Sequence, residues 1–275
     1  MDDGDERDER DERAALYQEH KRDAVRFQDQ SVVDRYHLRP AYPPETFTLL
    51  SELIVDEPRV ALDIGTGPGN IARRLADFVE RIDAVDWSAQ MLERARALPG
   101  GDSPKIRWLQ GKIEEVALQP PYALVTAGSS LHWMDWDVVL PRLARAVTPH
   151  GMLAIVYAEE QDTPWHAGVR DLRRRFSTKA AYHQFDWKGE LATRGLFEPL
   201  DKRETAPVMM RQSVADYIAA QHSRSGFSLD AMPAAQAAQF DAELQAVLVP
   251  FASDGALTFQ VVGGFTWGKP REGAR

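Results

Sequence analysis

Leu62-Asp63-Ile64-Gly65-Thr66-Gly67-Pro68-Gly69-Asn70 runs out of an apolar segment and into a helical one, and this loop decides the fold. Glycine is needed where a backbone must turn tightly and approach a ligand without interference from a Cβ atom. The dinucleotide fingerprint G-x-G-x-x-G would require a glycine at position 70, which is Asn70, and the third glycine comes one residue early. Asp63 stands two positions before the first glycine, where a carboxylate would repel a pyrophosphate. The loop therefore reads as a nucleotide-type turn built for a ligand without phosphate.

Outward from the loop, short apolar runs alternate with helical stretches. Val60–Ile64, Ile82–Val85, Ile106–Leu109, Ala123–Ala127 and Met152–Tyr157 read as buried strands. Asn70–Val79, Ser88–Leu98 and Val138–Val147 read as helices between them, with a further short helix near Glu114. Such alternation specifies a doubly wound α/β architecture with ligands at the carboxyl ends of the strands. After Tyr157 the alternation stops. Trp165–Phe176, Ser213–Gln221 and Ala234–Val249 read as helices, and Gly195–Met210 and Leu257–Trp267 as further strands. Arg170 and Arg173 to Arg175 read as a solvated helix face. Residues 1–15 read as a charged, disordered tail and 16–55 as a helical cap, interrupted at Tyr36–Pro44. Residues 56–160 form the ligand-binding core, and 161–275 complete the sheet and carry a helical insertion, Ser213–Val249.

A ligand with an ammonium and a sulfonium but no phosphate suits Asp63, and S-adenosylmethionine is such a ligand. Asp86 ends the next strand, where an acid can accept hydrogen bonds from both ribose hydroxyls. With these motifs the sequence resembles the class I S-adenosylmethionine-dependent methyltransferases, and within them the small-molecule group similar to trans-aconitate methyltransferase. The likeness covers roughly Asp34 to Glu159. It implies a Rossmann-like, seven-stranded, mostly parallel sheet with a helical lid, and S-adenosylmethionine as cofactor with S-adenosylhomocysteine as product. On the family pattern Asp63, Gly65, Gly67 and Gly69 form the first motif and Asp86 holds the ribose. Trp87 and Met91 would lie near the adenine, with Ile113 and Glu114 at its edge and Ala127 at the end of the fourth strand. Lys112 and Ala123 depart from the pattern, since acids are usual at both positions. Tyr36-x-x-Arg39-Pro40-x-Tyr42-Pro43 is similar to the capping segment of the same group, in which Arg39 would pair the cofactor carboxylate.

The acceptor is less sharply drawn. Transfer to a carboxylate needs only groups that orient it, whereas a hydroxyl or carbon acceptor needs a base. His132, after the fourth strand, is a candidate for either role, or is a packing element together with Trp133; His222 is a second candidate. Tyr36, His132, Trp133, Tyr217 and Arg224 are the candidate substrate contacts, in a pocket between the loop after the fourth strand and the late insertion. The reading is methyl transfer to a small molecule, at oxygen of a carboxylate or hydroxyl, with N- or C-methylation or a non-methylating use of the cofactor as the alternative. The absence of cysteine excludes disulfides, thiolate metal sites and a cysteine nucleophile, and no metal is expected. A net charge of −9 argues against nucleic acid. No apolar run approaches a membrane span, and the N-terminus is charged from its start, so no membrane partner is expected and the location reads as cytoplasmic.

Overall fold

In a computed structural model the protein is described over residues 23–179 and 187–273, without the side chains of Lys188 and Ala192. The charged N-terminal stretch and the start of the cap lie outside the described residues. Within the helical cap expected over 16–55, Asp23–Gln28 is a 3-10 helix. Helices α1 (Gln30–Arg35) and α2 (Glu45–Ser51) follow it.

The core then alternates: β1 (Val60–Ile64), α3 (Ala72–Leu75), β2 (Arg81–Asp86), α4 (Ala89–Ala97), β3 (Ile106–Gln110), β4 (Tyr122–Gly128), α5 (Trp136–Ala146) and β5 (Val147–Glu160). The second half adds α6 (His166–Phe176), α7 (Trp187–Thr193), β6 (Phe197–Glu204), β7 (Val208–Ser213), α8 (Val214–Gln221), α9 (Ala234–Leu248) and β8 (Ala256–Pro270). The strands form one sheet ordered β3-β2-β1-β4-β5-β8-β6, with β7 also on β8. β6 and β7 follow one another along β8, so eight strands fill seven positions. Pairing is parallel from β3 through β5, and β8 returns antiparallel to β5.

β1 is buried along its whole length because both sheet faces are covered. Successive side chains point to opposite faces. Leu62 and Ile64 therefore join one core layer with Trp136, Val139 and Leu143 of α5, and Ala61 joins the other with Leu50 of α2 and Leu75 of α3. A third core unites Trp165, Leu172 and Phe176 with Phe240 and Leu244 of α9 and with Phe259 and Val261 of β8. That core holds the late insertion over the carboxyl ends of the strands.

Two readings from sequence change. Residues 113–115 form a turn rather than a short helix, since Glu114 Oε1 accepts the Asp135 N–H, 2.8 Å away, and so anchors the start of α5. The basic run on α6 is not wholly solvated. Arg173 turns inward and donates from Nε and Nη2 to Gln221 Oε1, at 3.0 and 2.7 Å, while Arg170, Arg174 and Arg175 stay exposed.

Candidate active site

The glycine loop takes its shape from left-handed backbone at Gly65, Gly67 and Gly69, with φ of +63°, +55° and +73°. At two of these positions a side chain is also excluded by contact. A Cβ on Gly65 would come within 2.5 Å of Ser130 Cβ, and one on Gly69 within 2.5 Å of Trp108. The loop is tied to both carboxylates of the sequence reading. Asp63, 1 % exposed, accepts hydroxyl hydrogen bonds from Thr66 at 2.5 Å and Thr126 at 2.7 Å. Asp86 accepts the Gly67 N–H at 2.7 Å and the Ser88 N–H at 2.8 Å. Burial pushes both carboxyls up to about 6, against hydrogen bonds that pull them down. For Asp63 the nearby Asp86 charge adds to the rise.

Two connected hollows open at this end of the sheet. The narrower is walled by Gly65, Gly67, Asp86, Trp87 and Met91 on one side and by residues 128–130, Trp133 and Met134 on the other, with Phe27 and Tyr36 at its mouth. This cleft suits S-adenosylmethionine. Asp86 borders it as a desolvated carboxylate, and Trp87 and Met91 line it beside Asp86. Of the other residues read as cofactor contacts, Arg39 lines the wider hollow, and Asp63, Gly69, Ile113, Glu114 and Ala127 do not line this cleft. Gly69 packs on Trp108, Ala127 is fully buried within the sheet, and the Ile113 carbonyl accepts from Arg142 at 2.8 Å. Glu114 is spent on α5, and Asp63 is satisfied within the loop.

The wider hollow, a cavity of about 690 Å³, lies between the loop after β4, the Tyr36–Tyr42 segment, α6 and the late insertion. All five residues read as substrate contacts, Tyr36, His132, Trp133, Tyr217 and Arg224, line it. Tyr217 donates to Glu160 Oε2 at 2.8 Å and accepts from Trp165 Nε1 at 3.2 Å. The His132 ring lies 4.5 Å from Trp133 and 5.6 Å from Trp187, centroid to centroid, so its place is aromatic. His222 lies outside both hollows. Its ring nitrogens face the Phe227 carbonyl at 2.8 Å and Asp241 Oδ1 at 2.7 Å, and it borders a separate depression beside Arg35. Arg39 lines the cavity, bonded to Ser223 Oγ at 2.8 Å, with its guanidinium 4.2 Å above the Tyr36 ring.

Tyr42, Ser129, Arg173 and Lys179 are among the wall residues that the sequence reading did not name as substrate contacts. Arg173 follows the buried Leu172 and precedes the buried Phe176 by three, a helical spacing that places it at the edge of the apolar face. Ser129 carries no signal in sequence, since it is a non-glycine residue at φ +50°.

Comparison with known proteins agrees with this geometry. Residues 61–151 match the family described as methyltransferase domain. A trans-aconitate 2-methyltransferase of Azoarcus sp. (strain BH72) is 32% identical over 126 residues, 45% of this chain and 48% of that protein. An uncharacterized methyltransferase of Mycobacterium bovis is 28% identical over 201 residues, 66% of this chain and 79% of that protein. A solved structure from Anaeromyxobacter dehalogenans, provisionally designated a type II methyltransferase, superposes with a TM-score of 0.62 at 22% identity, covering 84% of this chain and 97% of that one. The chain thus spans about half the length of the Azoarcus relative. Fold, loop and likeness together make residues 61–151 a methyltransferase domain of the class I, S-adenosylmethionine-binding kind, and the chain is similar to the trans-aconitate methyltransferases.

Proposed function

We propose that this enzyme transfers the methyl group to a carboxylate oxygen of a small, multiply anionic acceptor held in the wider cavity. The observation that carries this reading is Arg224. Protein surrounds it, yet its side chain stays accessible because it opens onto the cavity. Its neighbours include two more guanidiniums. Repulsion from Arg173, then burial, then repulsion from Arg39 bring its proton affinity down to about 9, against the attraction of Glu160. Like charges gathered in a partly desolvated space cost free energy unless an anion joins them. Planar guanidinium forks match carboxylates in a way that also fixes their orientation. Lys179, on the same wall, adds a further cation.

Bound S-adenosylmethionine supplies an activated methyl on a sulfonium, so a carboxylate needs no base, only alignment. Phe27, Tyr36, Ser129 and Trp133 line both hollows and mark where the two reactants meet. The name of the Azoarcus relative makes trans-aconitate the first acceptor to assay, beside other short di- and tricarboxylates. Arg224→Met keeps the volume and removes the charge. Its KM for the acceptor should rise about 10- to 100-fold, the worth of one charge-assisted contact of roughly 1.5–3 kcal/mol, with S-adenosylhomocysteine affinity unchanged. An unchanged KM would end the case for an anionic acceptor at this wall.

A further inference from the structure

Between the two hollows the wall narrows to the last residues of β4, and the side chains there are set by an unusual backbone. Ser129 holds φ at +50°, and its N–H donates to the Val156 carbonyl at 3.0 Å. A non-glycine residue in this region costs about 1 kcal/mol or more and persists only where its surroundings impose it. Glycine or asparagine would sit here more easily, so the hydroxyl is being kept against a backbone cost. Its partner is Tyr42, with which it shares a side-chain hydrogen bond. A Cβ built on Gly128 would lie 2.8 Å from the Tyr42 hydroxyl and 2.6 Å from Ile71 Cδ1, so the phenol stands directly over the end of β4. Gly128 borders the cofactor cleft, Tyr42 borders the acceptor cavity and Ser129 borders both.

We propose that Tyr42 donates its hydroxyl proton in a hydrogen bond to one oxygen of the acceptor carboxylate and so aims the other at the methyl group, with Ser129 as the residue that positions it. The proposal rests on carboxylate methylation as the function. When the Ser129 hydroxyl donates to the Tyr42 oxygen, the phenol proton is left for a second partner, and Tyr42 is part of the wall of the acceptor cavity. Burial, with the nearby Tyr36 and the Asp63 charge, pushes the phenol well above its ordinary range, so the group is a donor and not a base. That is the requirement of the reaction. The free carboxylate oxygen forms a bond to the methyl carbon as the methyl–sulfur bond breaks. The sulfonium becomes a neutral thioether, the acceptor becomes a methyl ester, and no proton is transferred. Binding one oxygen while leaving the other in line is an orientational task, the kind that contributes to kcat.

The test is a double-mutant cycle with Tyr42→Phe and Ser129→Gly, assayed on trans-aconitate or on whichever carboxylate of the panel is turned over. Ser129→Gly keeps the backbone region and removes the strain, so its melting temperature should hold or rise, which separates a lost function from a lost fold. Tyr42→Phe should lower kcat 10- to 100-fold while S-adenosylhomocysteine affinity, read by titration calorimetry, stays within twofold. Ser129→Gly should lower kcat three- to tenfold. The double variant should be no slower than Tyr42→Phe alone, because Ser129 acts through Tyr42. Full turnover by Tyr42→Phe would overturn the proposal and leave the function standing, and so would effects that multiply in the double variant. A wild-type enzyme that binds S-adenosylhomocysteine but methylates no carboxylate would overturn both.

Discussion

Asp86 offers the sharpest test of the cofactor site, because its two oxygens already have identified duties. One accepts the Gly67 N–H at 2.7 Å, which ties the glycine loop to β2, and the other accepts the Ser88 N–H at 2.8 Å, beside the cap of α4. The Trp87 N–H also bonds the carboxylate, and the capacity that four lone pairs leave is what the proposed ribose contact would use. Asp86→Asn keeps the size and one oxygen but replaces the other by an amide that faces an N–H or a hydroxyl donor. Two charge-assisted hydrogen bonds, each worth roughly 1.5–3 kcal/mol, become at best one neutral bond, so the expected loss is about 2–3 kcal/mol. That is some 30- to 150-fold in S-adenosylhomocysteine affinity by calorimetry. A pH series adds a signature. Burial raises the folded-state carboxyl to about 6, above its ordinary 3.8, so the apo protein takes up a proton as pH falls through 6. Only the ionised form accepts both ribose hydroxyls without competition, so wild-type affinity should be full above pH 7 and decline below 6. Each pH unit should then cost up to about tenfold. Asp86→Asn should flatten that decline, and any residue of it reports Asp63, which also titrates near 6. A folded Asp86→Asn variant with wild-type affinity, or a wild-type profile level from pH 5 to 8, would refute the placement of the ribose.

Gly128→Ala should slow turnover, because the new methyl would displace the Tyr42 hydroxyl and Ile71 from 2.8 and 2.6 Å. Overpacking of this kind costs about 1–3 kcal/mol, visible as a lower melting temperature. Phe240, fully buried, packs on Phe227 at 4.9 Å and Phe176 at 5.7 Å between ring centroids. Phe240→Ala should cost about 3–5 kcal/mol in chemical denaturation and, by loosening the turn at Ser225–Phe227, raise the acceptor KM more than the cofactor Kd.

The two halves of the site were unequally legible for a physical reason. Asp63, Gly65, Gly67 and Asp86 belong to one strand–loop–helix–strand unit, in which spacing along the chain translates directly into position. The residue types are forced there by left-handed backbone and by the end of a buried strand. The same local logic says less about Ala127, Ile113 and Glu114. A pattern can fix the strand end or the turn a residue occupies without fixing which of its groups are engaged elsewhere: one Glu114 oxygen holds the start of α5, and the Ile113 carbonyl accepts from Arg142 while its N–H is a separate group. The acceptor wall comes from segments far apart in sequence, Arg39 beside Ser223 and Arg173 beside Gln221, which no periodicity links. Tyr217 and Arg224 were legible as an aromatic and cationic mixture in an insertion; Ser129 was not, because a serine in left-handed backbone looks like any other serine.

The charge distribution bears on the proposed acceptor. The chain carries a net −9, so at a distance it repels the anions that its cavity suits. Screening confines this repulsion to about 8–10 Å at ordinary ionic strength, and it is felt mainly on approach. Inside, Arg39, Arg173 and Arg224 face Glu159 and Glu160, with Lys179 paired to Asp23 at 3.2 Å, which leaves a small local excess of cations where protein atoms displace solvent. A monoanion would meet the outer repulsion and satisfy only part of the inner excess. An acceptor with two or three carboxylates would gain from several guanidiniums at once, and in the proposed arrangement its reacting carboxylate takes the neutral donor at Tyr42. Binding energy from the remote carboxylates is thereby spent on positioning the one that reacts.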